Sequence, residues 1–482
     1  MRVLEQLEPK NVLSFFEDLC AIPHGSGNTK AISDYCVKFA KDRSLEVHQD
    51  GLNNVVIVKP ATPGYEAAPT VIIQGHLDMV AEKTPDSPIN FLTDGLELEV
   101  DGDFVRAKGT TLGGDDGIAV AMALAVLDSH DLAHPRLECL FTVDEETGMD
   151  GAVGFDASIL QGKRLLNIDS EEEGILTVSC AGGAHAAVRI PMTANECALD
   201  SAEIRISGLK GGHSGAEIDK GRANATITLG RVLQALVDEL EVRLVSAEGG
   251  LKDNAIPNAA RAVIALEDGK LPRAQEICAE LQDTFRREYA AADPDVTVTF
   301  TPGTVASQAL TLRDTKKVCC FLGLYPNGIE SMSMDIPGLV QTSCNLGIFR
   351  VDGAGLEGSG SVRSSVASRK QLLLRRIGLL AEGLDGTLCV SGEYPAWEYR
   401  RESHLRDVMC RVYKDQYGTD MKVEAIHAGL ECGLFCGKIP GLDAVSFGPN
   451  LYDIHTTSER MSISSVQRVY AYLCAVLQAL KD

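Results

Sequence analysis

No apolar run in this sequence is long enough to cross a bilayer. The longest useful one, 118–127, has ten residues, about half of the ~20 that a spanning helix needs, so no membrane partner is expected. Positive charge is also scarce, with 45 Lys plus Arg against 68 Asp plus Glu and a formal net charge of −23. That balance opposes attraction to nucleic acid or to an anionic membrane surface. The amino-terminal stretch MRVLEQLEPKN lacks a basic patch followed by an apolar segment; a signal peptide is not expected, and the cytoplasm is the expected location. Among fourteen cysteines there is no C-x-x-C, and a cytosolic chain keeps such thiols reduced. Cys432 and Cys436 share a Gly-rich segment but lack the second Cys or His pair of a structural zinc site, so they are read as small core residues. Tandem repeats and low-complexity tracts are not evident either.

What is present describes a folded chain of more than one domain. Its 482 residues are about three times the usual ~150 of a domain, and 45% hydrophobic with 23% charged residues is the balance of a globular protein. The first 180 residues alternate helical patterns with short apolar runs at 55–58, 71–73, 137–142 and 165–168, the rhythm of an α/β sheet with buried strands. Between them, 116–127 reads as an Ala-rich buried helix opened by Asp and Gly. From about 184 to 393 the texture is α+β, with strand-like stretches at 202–206 and 296–300 and amphipathic helices at 224–240 and 271–289. After Trp397, read as a packing residue, a helix at 404–417, a strand at 445–448 and a helix at 464–480 return to the first pattern. One α/β domain, 1–183 with 395–482, interrupted by an inserted α+β domain, 184–394, is the expected architecture.

Chemistry-bearing residues gather where apolar runs end. VIIQGHLDMV presents His76 and Asp78, two apart and so on one side of an extended chain, where Asp78 can orient the imidazole. RAKGTTLGGDDG carries Asp115 and Asp116 between glycines at the entrance of the buried helix, where a carboxylate could also serve as a cap. LECLFTVDEETG ends in Asp144, Glu145 and Glu146, and successive residues leaving a strand point in opposite directions. RLLNIDSEEEG delivers Asp169, and GPNLYDIHTTSE adds His455. Any one acid is more simply a solvated strand end, but hard oxygen ligands with two imidazoles suit zinc or a similar divalent ion. Five such groups can hold two metals that share a carboxylate. Blander readings go to His24 in a Gly/Ser loop, which shapes a turn, and to 171–173, a solvated acidic run. His427 and Glu431 in HAGLECG are read as pocket-lining through their backbone.

These segments, together with AIPHGSG, LKGGHSGAEI and NAIP, resemble the M20 metallopeptidases, specifically the aminoacyl-histidine dipeptidases, over nearly the whole chain. The resemblance implies a two-zinc site, with Co²⁺ or Mn²⁺ as alternatives: His76 and Asp169 on one ion, Glu146 and His455 on the other, and Asp115 bridging. It assigns Glu145 as general base and Asp78 as the partner of His76. His213 in KGGHSG is implied as a lid histidine over the scissile carbonyl and Arg363 as the binder of the substrate carboxylate. Asp116 stands where relatives often carry Asn. The implied function is hydrolysis of dipeptides, Xaa-His such as β-Ala-His preferentially, by a monomer or homodimer whose inserted domain is a lid. Its rivals are a broader M20 dipeptidase, an N-acyl amino-acid deacylase and a non-catalytic peptide binder. The last of these would have lost a ligand or the base, and none is lost here.

Overall fold

The computed structural model describes residues 2–481 and groups them into two compact units. Of the described residues, the first comprises those up to 179, 399–425 and those from 430 onward; the second comprises 180–398 and the short return segment 426–429.

In the first unit, eight strands form one mixed sheet in the order Glu46–Gln49, Val55–Lys59, Leu137–Thr142, Val71–His76, Arg164–Asn167, Asp443–Ser446, Ile175–Cys180 and Lys422–Ile426. Val71–His76 runs parallel to both Leu137–Thr142 and Arg164–Asn167, and Asp443–Ser446 runs parallel to Arg164–Asn167. Both Val71–His76 and Leu137–Thr142 are buried throughout, which is why they read as continuous apolar runs instead of alternating ones. Parallel register brings the carboxyl ends of these strands side by side, the edge of an α/β sheet at which ligands bind. Helix Gly114–Asp128 is apolar on all sides, with every residue from Gly114 to Leu127 buried. Its first turn is irregular at Asp115 and Asp116, so the regular helix begins near where the sequence pattern placed it.

The second unit shows a repeat that the sequence conceals. Eight principal strands are ordered Thr297–Pro302, Ala194–Ser207, Ala260–Leu266, Arg243–Gly249, Val340–Asp352, Gly355–Ser364, Gly182–Ile190 and Thr387–Tyr394. The first four, with helices Ala225–Glu239 and Leu271–Glu288, make a β-α-β-β-α-β motif in spatial order 4-1-3-2. The last four, with helices Leu312–Leu324 and Ala367–Gly383, make the same motif in the same order. The two join through an antiparallel pairing of Arg243–Gly249 with Val340–Asp352 in which Ala247 faces Val351, Glu248 faces Arg350 and Gly249 faces Phe349. Because the opening strand of the second motif, Gly182–Ile190, precedes the whole of the first motif, the repeat is nested and leaves no tandem period.

The expected helices at 224–240, 271–289, 404–417 and 464–480 are found at Ala225–Glu239, Leu271–Glu288, His404–Tyr417 and Ile463–Ala479. Trp397 is buried and exchanges two main-chain hydrogen bonds with Cys180, each 3.1 Å. The fourteen cysteines form no disulfide among the described residues, and no described helix is long and apolar enough to cross a membrane.

Candidate metal centre

The groups of the centre in the first unit are carried by strand ends, by tight loops beside them and, for Asp115 and Asp116, by the irregular first turn of helix Gly114–Asp128. His76 is the last residue of its strand and is 1% exposed. Its Nδ1 lies 2.9 Å from the main-chain carbonyl of Asp78, with the Asp78 carboxylate farther off at 3.6 Å. A proton on Nδ1 donated to that carbonyl leaves the Nε2 lone pair free for a ligand. The carboxylate of Asp78 does something the sequence did not disclose. It accepts the Glu145 N–H at 3.0 Å, the Glu146 N–H at 3.4 Å and the Ser26 hydroxyl at 2.8 Å, so it fixes the turn that presents the two glutamates.

That turn is built tightly. Asp144 adopts a positive φ of 55°, and its carboxylate accepts the Gly27 N–H at 2.6 Å. The Gly151 N–H returns to the Val143 carbonyl at 3.0 Å. A Cβ on Gly151 would sit 2.2 Å from the Val143 oxygen, so only glycine fits there.

The two oxygens of Asp115 diverge. Oδ1 lies 3.1 Å from His76 Nε2, and Oδ2 lies 3.2 Å from His455 Nε2. Glu146 Oε1 is 3.0 Å from the same His455 nitrogen, yet that buried oxygen has no hydrogen bond. Asp169 reaches His76 Nε2 at 3.7 Å. Asp116, the other member of the acidic pair, instead accepts the His76 main-chain N–H at 3.1 Å. Ligand atoms of His76, Asp115 and Glu146 lie within 4.8 Å of one another, and so do those of His76, Asp116 and Asp169.

Electrostatics point the same way. Burial drives the carboxyls of Asp116 and Asp169 well above the usual range and lifts Glu145 to about 7, because these acids crowd one another away from water. Asp115 is held well below that range, since hydrogen bonds from His455 and His76 outweigh its burial. A cluster of this kind crowds carboxylates around two imidazoles and is short of positive charge, and its Glu146 Oε1 lacks a hydrogen bond; such a donor set fits a divalent cation.

Other expected residues lie in the second unit. His213 Nδ1 accepts the N–H groups of Gly215 at 3.2 Å and Ala216 at 3.0 Å, and the main-chain N–H of His213 donates to Glu217 at 2.9 Å. The imidazole is therefore locked with its proton on Nε2. Burial and the nearby Arg363 both lower its pKa, keeping the ring neutral. Arg363 is 8% exposed and donates to the Tyr394 hydroxyl at 3.3 Å. A Cβ on Gly215 would meet His213 at 3.0 Å, Arg363 at 3.3 Å and the His427 carbonyl at 2.8 Å, so these groups converge on one glycine.

His427 is not merely a backbone contributor. It is buried, its Nε2 sits 2.7 Å from the Ser343 hydroxyl, and burial followed by Arg363 pushes its pKa down to about 4. Glu431 belongs to the first unit, fully buried, with its Oε2 accepting from Gln74 at 2.5 Å and from Thr142 at 2.8 Å. His24 is buried with Nδ1 2.6 Å from the Ile22 carbonyl. Within the acidic run, Glu173 is engaged by Arg468 through two contacts of 2.6 and 2.7 Å.

Residues 72–479 match the model of peptidase family M20/M25/M40. The chain belongs to the M20 peptidase family. This M20 peptidase is 34% identical over 482 residues to the cytosol non-specific dipeptidase of Escherichia coli strain K12, covering 100% of this chain and 99% of that one. It is similar in structure to the aminoacylhistidine dipeptidase from Vibrio alginolyticus, with a TM-score of 0.95, 35% sequence identity and coverage of 99% and 98% of the two chains. Aminopeptidase PepT from Bacillus cereus, at TM-score 0.56 and 16% identity over 99% of this chain and 100% of that one, shares the fold. The M20 peptidase is a peptide hydrolase.

Proposed function

We propose that this M20 peptidase hydrolyses dipeptides in the cytosol, preferring those that end in histidine. It would use two divalent ions, zinc by preference, with His76 and Asp169 on one, Glu146 and His455 on the other, and Asp115 between them. The observation that carries the reading is the divergence of the Asp115 oxygens toward two different imidazoles, 3.1 and 3.2 Å away. When bound, such ions supply Lewis-acid polarisation of a scissile carbonyl and acidify a water.

The chain's own residues do the remaining work. Glu145 takes the proton of the attacking water and passes it to the leaving amine. Asp78 holds Glu145 and Glu146 by their N–H groups and, through its carbonyl, the His76 ring. The second unit serves as a lid: neutral His213 offers its Nε2–H to the developing oxyanion, and Arg363 receives the substrate carboxylate.

The likeness to the Vibrio protein over almost the whole chain supports the preference for histidine. The Escherichia coli relative, described as non-specific, favours a broader dipeptidase as the second reading. Zinc analysis combined with turnover of β-Ala-His, Gly-Leu and N-acetyl amino acids tests the proposal. Two ions per chain and fastest turnover of β-Ala-His are expected. Equal rates on Gly-Leu would replace the preference with the broader reading, and cleavage confined to N-acetyl amino acids would make the protein a deacylase.

A further inference from the structure

We propose that Glu459 is a positioning residue that ties the segment bearing His455 to the loop bearing Asp115 and so sets the site of the second ion; the inference rests on the two-ion reading above. Its side chain is almost wholly buried. Three consecutive N–H groups converge on its two oxygens: Leu112 at 2.7 Å and Gly113 at 3.2 Å donate to Oε2, and Gly114 at 2.8 Å donates to Oε1. Successive N–H groups around a left-handed residue form a concavity that suits an anion, and Gly113 supplies that conformation with a φ of 68°. Here the anion belongs to the chain itself, and it comes from four residues beyond His455.

The glycine pair in GTTLGGDDG follows from this contact. A Cβ on Gly114 would lie 3.3 Å from Glu459 Oε1 and 3.2 Å from Leu451, and one on Gly113 would lie 2.8 Å from the Met79 sulfur. A side chain at Gly114 would press on the carboxylate, while one at Gly113 would crowd Met79 and strain the left-handed φ that aims the N–H groups. Asp115 follows directly on Gly114, so the donors that grip Glu459 are continuous with the ligand.

The His455 side needs such a tether. His455 lies in the connection between strands Leu451–Tyr452 and Arg460–Ser462. Both Asp453 and His455 have positive φ, 52° and 60°, a conformation that persists in non-glycine residues only where the surroundings impose it. Internal bonds shape the loop, with the Thr456 hydroxyl donating to the Asp453 carbonyl at 2.6 Å and the Glu459 N–H to the Thr456 carbonyl at 3.1 Å. They fix its shape but not its distance from Asp115. The His455 side chain is 45% exposed, against 10% for Asp115 and 7% for Glu146, so packing alone holds the imidazole weakly. The Glu459 carboxylate, with charge-assisted bonds to three N–H groups, is the link that spans from one segment to the other.

Zinc titration against a competing chelator tests this, with circular dichroism as the check on folding. Wild-type protein should bind two ions; one ion or none would defeat the two-ion reading itself and leave the role of Glu459 without its object. In Glu459→Gln, one acceptor oxygen becomes an NH₂ that opposes the N–H groups. The affinity for one ion, the one assigned to Glu146 and His455, should fall by ~10- to 100-fold, as when partners that orient metal ligands are removed, while the other ion keeps its affinity. Activity on β-Ala-His should then return with excess zinc at an unchanged KM. Glu459→Asp retains both oxygens and the charge and should restore part of the lost affinity; it also serves as the reporter should the Gln variant fail to fold, with a smaller drop confined to the same ion. Two wild-type affinities in the folded variants, or an equal loss at both ions, would overturn the proposal, because the first shows no role and the second only a general loosening of the fold.

Discussion

Two adjacent glutamates carry the sharpest test at the scale of single residues. Both are held by their N–H groups on the Asp78 carboxylate, but only Glu146 brings an oxygen to His455, at 3.0 Å. Glu145→Gln keeps shape and removes proton transfer. It should lower kcat by ~10²- to 10⁴-fold, the usual worth of a general base, with zinc content unchanged. Glu146→Gln should instead lower zinc occupancy first, and excess zinc should restore part of the activity. Zinc per chain and kcat at saturating zinc, measured on both variants, decide it; the reverse pattern would mean that the roles are exchanged. Asp78 shows where residue-level reading stops. H-x-D spacing brought Asp78 to His76, but the grip of its carboxylate on the Glu145 turn joins residues 67 and 68 positions apart, and no local pattern records such a contact.

Among elements, the long buried strands and amphipathic helices were legible because their periodicity is a direct imprint of which faces are covered. Leu137–Thr142 and His404–Tyr417 begin and end where the pattern does. The nested repeat of the second unit was not legible, since it resides in strand order, and strand order is decided by pairing between distant residues. One residue at the junction of the two motifs makes that pairing testable. Asn224 opens helix Ala225–Glu239 of the first motif, its Oδ1 accepting from Thr226 at 2.9 Å and Ile227 at 3.3 Å. Its Nδ2 reaches the second motif at the Leu346 carbonyl, 3.0 Å away, and at Asn327 Oδ1, also 3.0 Å. Asn224→Ala removes a helix cap and leaves buried partners unpaired, a loss of about 2 to 4 kcal/mol from the two effects together. Thermal unfolding should move to lower temperature while zinc binding in the first unit is unchanged. A variant with wild-type melting would show that the motifs do not depend on this junction.

At the scale of the whole molecule, stability is linked to pH through acids that the fold buries. Glu431 and Glu459 are the informative ones, because neither is a proposed metal ligand. Burial is the main cause in both, lifting Glu431 from an ordinary 4.5 to about 8 and Glu459 to about 7. For Glu431 the charge of Glu145 adds to the rise, whereas for Glu459 the three N–H donors oppose it. An acid whose pKa is higher in the folded state than in the unfolded state binds more protons when folded over the interval between the two values. Stability therefore declines as pH rises from about 4.5 to about 8, the window set by Glu431. The formal charge of −23 adds self-repulsion in the same direction, so the slope of the wild-type protein alone does not isolate either acid. Glu431→Gln does. The amide is neutral at every pH, and its oxygen can still accept from Gln74 and Thr142, while the variant shares every other charge with the wild type. The melting temperature of the variant minus that of the wild type, at fixed saturating zinc, should rise steadily between about pH 5 and pH 8. A difference that stays flat over that interval would mean that Glu431 is already ionised in the folded protein at pH 5 and is stabilised there by a partner other than Gln74 and Thr142.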